Sequence, residues 1–159
     1  MKLPYLITTI TVCVLLAACS KDKFTTKPQL ELKSVNGTSF VTNSNISFNF
    51  VVTDKEGDIQ DSMWIQKISL VCNDPNNPSD SISRVPTPYL LPVISKSRNL
   101  KVDLDVNYTY GSNNPGGYVP ISRCAEQRDD SIYFRFWLRD KAGNVSDTVT
   151  SETITLLKD

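Results

Sequence analysis

Histidine is absent from all 159 residues of this chain. That removes Ser-His-Asp and Cys-His nucleophile systems, His-ligated zinc and haem, and the commonest general base near neutral pH. Net charge is absent too: 17 Lys and Arg balance 17 Asp and Glu. A neutral chain gives no electrostatic reason to expect nucleic acid or an anionic membrane surface as partner. Nowhere does an apolar period of 3.6 last ten residues, so no amphipathic helix is predicted. These absences argue against most enzymes, and no catalytic residue is assigned.

What is present begins with a leader. Residues 1–18 carry one cation, Lys2, and then an apolar run from Leu3 to Ala18 broken only by Pro4, Tyr5, Thr8, Thr9 and Thr11. The run has the length of a signal-peptide core and is short for a bilayer span. It ends Leu16-Ala17-Ala18-Cys19, which resembles the lipobox of bacterial lipoproteins. The resemblance implies cleavage before Cys19, a diacylglycerol on its sulfur and an acyl chain, palmitate or similar, on the new amine. Each buried lipid CH₂ adds roughly 0.8 kcal/mol, so several chains hold the protein to a membrane. Residues 19–28 are polar, aperiodic and end in Pro28, and read as a flexible tether. Ser20 stands where enterobacterial lipoproteins kept at the inner membrane carry Asp, which implies the outer membrane. The run Ser20-Lys21-Asp22-Lys23 faintly resembles the surface-export signals of Bacteroidota lipoproteins, so the side faced, periplasm or surface, stays open.

Residues 29–159 then form one domain. Without the leader 141 residues remain, with 16 basic against 17 acidic side chains, enough chain for a proper core. Of four Cys, Cys13 leaves with the leader and Cys19 is lipidated. Cys72 and Cys124 are an even pair in an oxidising compartment, and a disulfide between them is predicted. Closing a loop of about fifty residues stabilises a fold by roughly 4 kcal/mol in the chain-entropy model.

Alternation is the dominant pattern. It sets Leu30 and Leu32 on one side of Gln29–Val35, and Ile46, Phe48, Phe50 and Val52 on one side of 46–53. It groups Ile68, Leu70 and Cys72. It runs from Leu100 through Val102, Leu104, Val106 and Tyr108 to Tyr110, and it points Ile132, Phe134, Phe136 and Leu138 inward. In 147–157 it slips near Ser151–Thr153, which predicts a bulge. Turns fall at Asn36-Gly37, Asp54–Asp58, Gly111–Gly117 and Asp140–Asn144. Residues 73–98 hold five Pro and read as a long loop with an edge strand at Tyr89–Ile94. The expected fold is all-β, a two-sheet antiparallel sandwich of about seven strands with one long Pro-rich loop.

Two stretches add a resemblance. Phe50-Val51-Val52-Thr53-Asp54-Lys55-Glu56-Gly57-Asp58 looks like the second strand and turn of bacterial immunoglobulin-like domains. The stretch from Phe136 to Asp147, with Asp140-Lys141-Ala142-Gly143-Asn144-Val145-Ser146 at its centre, looks like their final hairpin. The likeness covers about a quarter of the mature chain and implies an immunoglobulin-like sandwich, a fold that hosts many unrelated roles. A second likeness concerns modification. Secreted Bacteroidota proteins are O-glycosylated at Asp-Ser/Thr before an apolar residue or Thr. Four triplets match, at Ser62, Ser81, Ser131 and Thr148, against roughly one or two from composition alone.

Three groups of residues are candidate sites. Asp54, Glu56, Asp58 and Asp61 lie within eight residues; oxygen-rich turns hold Ca²⁺, with Asp140 or Asp147 available to complete a site, although the spacing is not that of an EF-hand and a solvated acidic turn has the same composition. Tyr133, Arg135, Trp137 and Arg139 share the outward side of one strand, with Trp64 a further candidate. Such a row stacks on sugar rings or anchors a protein partner, unless the long loop covers it. Asp103 and Asp105 alternate outward on a strand, as a solvent face does, and neither they nor Asp129 with Asp130 come with a pocket-forming motif, so neither pair reads as catalytic. The function expected is a non-catalytic binding or structural module presented from the outer membrane, which contacts an envelope protein or a glycan through loops or a strand face. The rival expectation is an accessory glycan-binding lipoprotein of a sugar-uptake system.

Overall fold

The computed structural model describes residues 24–59, 61–72, 86–111, 117–124 and 128–158. Residues 1–23, which include the expected leader and Cys19, lie outside them, as does Ser81. The described chain forms ten strand segments: β1 (Gln29–Val35), β2 (Ser39–Phe40), β3 (Asn45–Asp54), β4 (Ser62–Ser69), β5 (Thr87–Leu90), β6 (Leu100–Tyr110), β7 (Val119–Ile121), β8 (Asp130–Arg139), β9 (Val149–Thr150) and β10 (Ile154–Leu156). One sheet has the order β1-β3-β6-β7. The other runs β2-β10-β8-β4-β5, with β9 also on β8. The two sheets make the expected two-sheet β-sandwich, antiparallel except that β2 pairs with β10 and β7 with β6 in parallel.

Alternation builds the core. On β3 and β8, Ile46, Phe48, Phe50, Val52, Ile132, Phe134, Phe136 and Leu138 are all buried. The two strands belong to opposite sheets, and their rings lock across the gap. Phe48 meets Phe134 at 4.9 Å and Phe136 at 5.1 Å, while Phe50 meets Phe136 edge-on at 4.8 Å. Such contacts add to area burial because ring edge and ring face carry opposite partial charge. The expected bulge is present. Arg135 pairs with Thr150, but Ile132 pairs with Ile154, one residue out of step. Ser151 fills the gap: its hydroxyl accepts from the Phe134 amide, and its own amide donates to the Phe134 carbonyl.

Cys72 and Cys124 are disulfide-bonded, with Cα atoms 5.7 Å apart. Two expectations need correction. The grouping of Ile68, Leu70 and Cys72 is wrong: β4 starts at Ser62 and places Met63, Ile65, Lys67 and Ser69 inward, leaving Ile68 outward and Leu70 exposed. Its register is set by eight paired residues on β8, from Ser62–Arg139 to Ser69–Ile132, and that pairing outweighs the apolar pattern of 68–72. The edge strand is β5, which ends at Leu90 rather than Ile94 and pairs with β4.

Candidate functional site

The inward face of β3 continues past Val52 to Asp54, and that of β8 continues past Leu138 to Asp140. Both carboxylates keep the parity of the core and are buried, at 0% and 1% exposure. Because Phe50 packs on Phe136, the two strands end side by side. Asp58, half-buried in the turn after β3, joins them, and one carboxylate oxygen from each lies within 4.8 Å of the others. The turns are tied by the Lys141 amide, which donates to the Asp58 carbonyl at 3.0 Å. Asp54 Oδ2 accepts from the amides of Gly57 at 2.6 Å and Asp58 at 3.2 Å. Asp140 accepts from the Asn144 amide and from its side-chain nitrogen, each at 2.7 Å. Among the described residues, Asp54 Oδ1 and Asp58 Oδ1 are buried and accept no hydrogen bond. Burial pushes the Asp54 carboxyl above the usual range; the amides of Asp58 and Gly57 oppose this, and the charges of Asp58 and Glu56 add to it.

The acidic group read from the sequence is therefore regrouped. Asp54 and Asp58 stay, and Asp140 joins them. Glu56 is exposed and accepts from Thr26 Oγ1 at 3.4 Å. Asp61 lies 3.8 Å from Arg139 Nε, and Asp147 pairs with Lys27 at 2.6 Å. Sequence proximity groups Asp54 with Asp58 and leaves Asp140, 82 positions beyond Asp58, level with Asp147 as the residue that completes a site. The signal that finds it is a shared parity: each of the two buried Asp stands two residues after the last inward apolar side chain of its strand.

Tyr133, Arg135, Trp137 and Arg139 alternate outward on β8. Trp137 and Tyr133 are half-buried, and Arg135 and Arg139 are exposed. Trp64 is the register partner of Trp137 on β4. Their rings are parallel to within 5°, with centroids 6.2 Å apart. Pro88 of β5 pairs with Trp64 on the other side, and Arg135 lies over the Tyr133 ring at 5.8 Å. This face of the second sheet is an aromatic strip edged by guanidinium groups.

A cavity of about 170 Å³ opens between β4, β5 and β6, lined by Met63, Ile65, Tyr89, Leu104, Val106 and Tyr108 among others. It explains why Leu104 and Val106 are only half-buried although they alternate inward. Burial drives the Tyr108 hydroxyl well above its usual range, reinforced by Tyr89 beside it. Asp103 and Asp105 are exposed, and Asn49 donates to Asp105 at 2.7 Å. Asp130 is buried and accepts from Ser69 Oγ and from the amides of Val71 and Cys72, which organises the approach to the disulfide. Of the triplet positions, Ser62 is buried, Ser131 half-buried and Thr148 exposed. No helix among the described residues is long and apolar enough to cross a membrane.

No protein family matches the chain, and no curated protein does. Among solved structures it is similar to a Niemann-Pick type C2 protein from the Japanese carpenter ant, with 9% identity, 86% of this chain and 96% of that chain covered, and a TM-score of 0.36.

Proposed function

We propose that this chain is a lipid-anchored, non-catalytic binding module of the bacterial outer membrane, which presents the outward face of β4 and β8 to an envelope protein. The observation that carries the reading is the parallel Trp64–Trp137 pair, set on an outward sheet face rather than in the core and edged by Arg135 and Arg139. Tryptophan and arginine are among the residue types on which binding energy concentrates at protein interfaces. The lack of histidine supports a module that binds and does not turn over. The leader and Leu-Ala-Ala-Cys19 support the anchor.

The test is affinity capture from detergent-solubilised envelopes with wild type and Trp137→Ala. Truncating a central Trp weakens binding by about 30-fold or more, so a specific envelope protein is expected with wild type and lost from the variant, whose circular dichroism is unchanged. The same proteins recovered with both would overturn the assignment of this face. The flat aromatic pair with Arg135 over Tyr133 also favours a second reading, stacking on sugar rings in a sugar-uptake system. A glycan array distinguishes them: Trp137-dependent glycan binding without protein capture establishes the second reading in place of the first.

A further inference from the structure

We propose that Asp54, Asp58 and Asp140 form a calcium site that clamps the turn after β3 to the turn after β8. Three carboxylates converge where the sandwich core ends, with one oxygen of each inside a sphere of 4.8 Å. Calcium takes oxygen ligands at 2.3–2.6 Å, so any two ligands of one ion lie no more than about 5 Å apart, and the cluster meets that limit. The independent observation is the unmet valence. Asp54 is fully buried, yet its Oδ1 accepts no hydrogen bond among the described residues, and neither does the buried Oδ1 of Asp58. A buried, unpartnered carboxylate oxygen is unfavourable, and a cation bound beside it would answer that cost. The other oxygen of Asp54 is held by two turn amides, which fixes the direction of the free one.

The donor set decides the class of ion. All three ligands are hard carboxylate oxygens, which suit calcium rather than soft or imidazole-seeking metals. Water or main-chain carbonyls would complete the six to eight positions that calcium prefers. The clamp also reaches the tether. The Lys55 amide donates to the Thr25 carbonyl at 3.2 Å, and Asn144 Nδ2 reaches the Thr26 carbonyl at 3.5 Å. Residues of both clamped turns thus hold the segment where the tether joins the domain, and an ion that stiffens the turns stiffens that joint.

The experiment is calcium titration of the purified, chelator-treated protein by calorimetry and thermal unfolding, with magnesium in parallel. Wild type is expected to bind one calcium, and its Tm to rise by roughly 5–10 °C at calcium a hundredfold above the Kd. Asp58→Asn and Asp140→Asn are expected to lose both signals, while Glu56→Gln and Asp61→Asn, outside the cluster, keep them. Amide exchange at Gly57 and Asp58 slows on calcium addition. Should Asp140→Asn fail to fold, Asp58→Asn and wild type alone decide the matter. No heat and no Tm shift in wild type, or a full response from Asp58→Asn, overturns the site. Equal binding of magnesium overturns the assignment to calcium. None of these outcomes depends on the aromatic face of β4 and β8.

Discussion

Lys67 shows how far a single residue can depart from its ordinary surroundings when strand register demands it. It is 4% exposed on the inward face of β4, and its Nζ finds no hydrogen-bond partner among the described residues. Burial pulls its pKa down to about 8, against the opposing charge of Asp130. The folded protein therefore holds this proton less tightly than the unfolded chain does. Between about pH 8 and the ordinary lysine value the unfolded state carries the extra proton, so stability rises with pH across that window. Denaturant unfolding of wild type and Lys67→Met should diverge there, wild type gaining about 3 kcal/mol relative to the variant. Parallel pH profiles for the two proteins would contradict the assignment.

Among the elements, the turn after β3 has the narrowest tolerance. Gly57 has φ +68°, and a Cβ there would stand 2.0 Å from the Ser97 carbonyl oxygen. The turn can thus lie against the 97–99 segment only through glycine, and the Asn99 amide secures the contact on the Lys55 carbonyl at 2.9 Å. Gly57→Ala forces the two backbones apart and adds the strain of a left-handed alanine. A loss of at least about 2 kcal/mol in unfolding free energy is expected. The same displacement moves the Gly57 and Asp58 amides off Asp54. Alanine tolerated here within about 0.5 kcal/mol would mean the turn is not held as described.

At the scale of the whole molecule, the sandwich is held through its middle and by one covalent link. The Phe48–Phe134–Phe136 cluster couples the sheets through the middle. The disulfide, at a sequence separation of 52, closes the long excursion after β4, a constraint worth roughly 4 kcal/mol in the chain-entropy model. The proposed anchor belongs to this scale, since it decides where the domain spends its life. Cys19→Ser should abolish incorporation of labelled palmitate and move the protein from the membrane fraction to the soluble or precursor pool. Continued labelling of that variant would refute lipidation at Cys19.

Fold class was legible in the sequence because alternation is a property of neighbouring residues. A strand with one oily side needs a second sheet to cover it, and β1, β3, β6 and β8 carry that pattern openly. The bulge at Ser151 was legible for the same local reason, and the cysteine pair was legible by count, since two cysteines remain beyond the leader and Cys19. The face of β4 was not, because Lys67 and Ser69 take inward positions only through pairing with β8. Of the acidic cluster, Asp54 and Asp58 were legible, while Asp140 stood only as an alternative to Asp147. Asp54 and Asp58 are close in the chain, but Asp140 reaches them only once two sheets pack with their aromatic rings in register. Periodicity along a chain specifies which side of a strand is oily; only packing between sheets decides which strand ends meet, and therefore which charges must share one place.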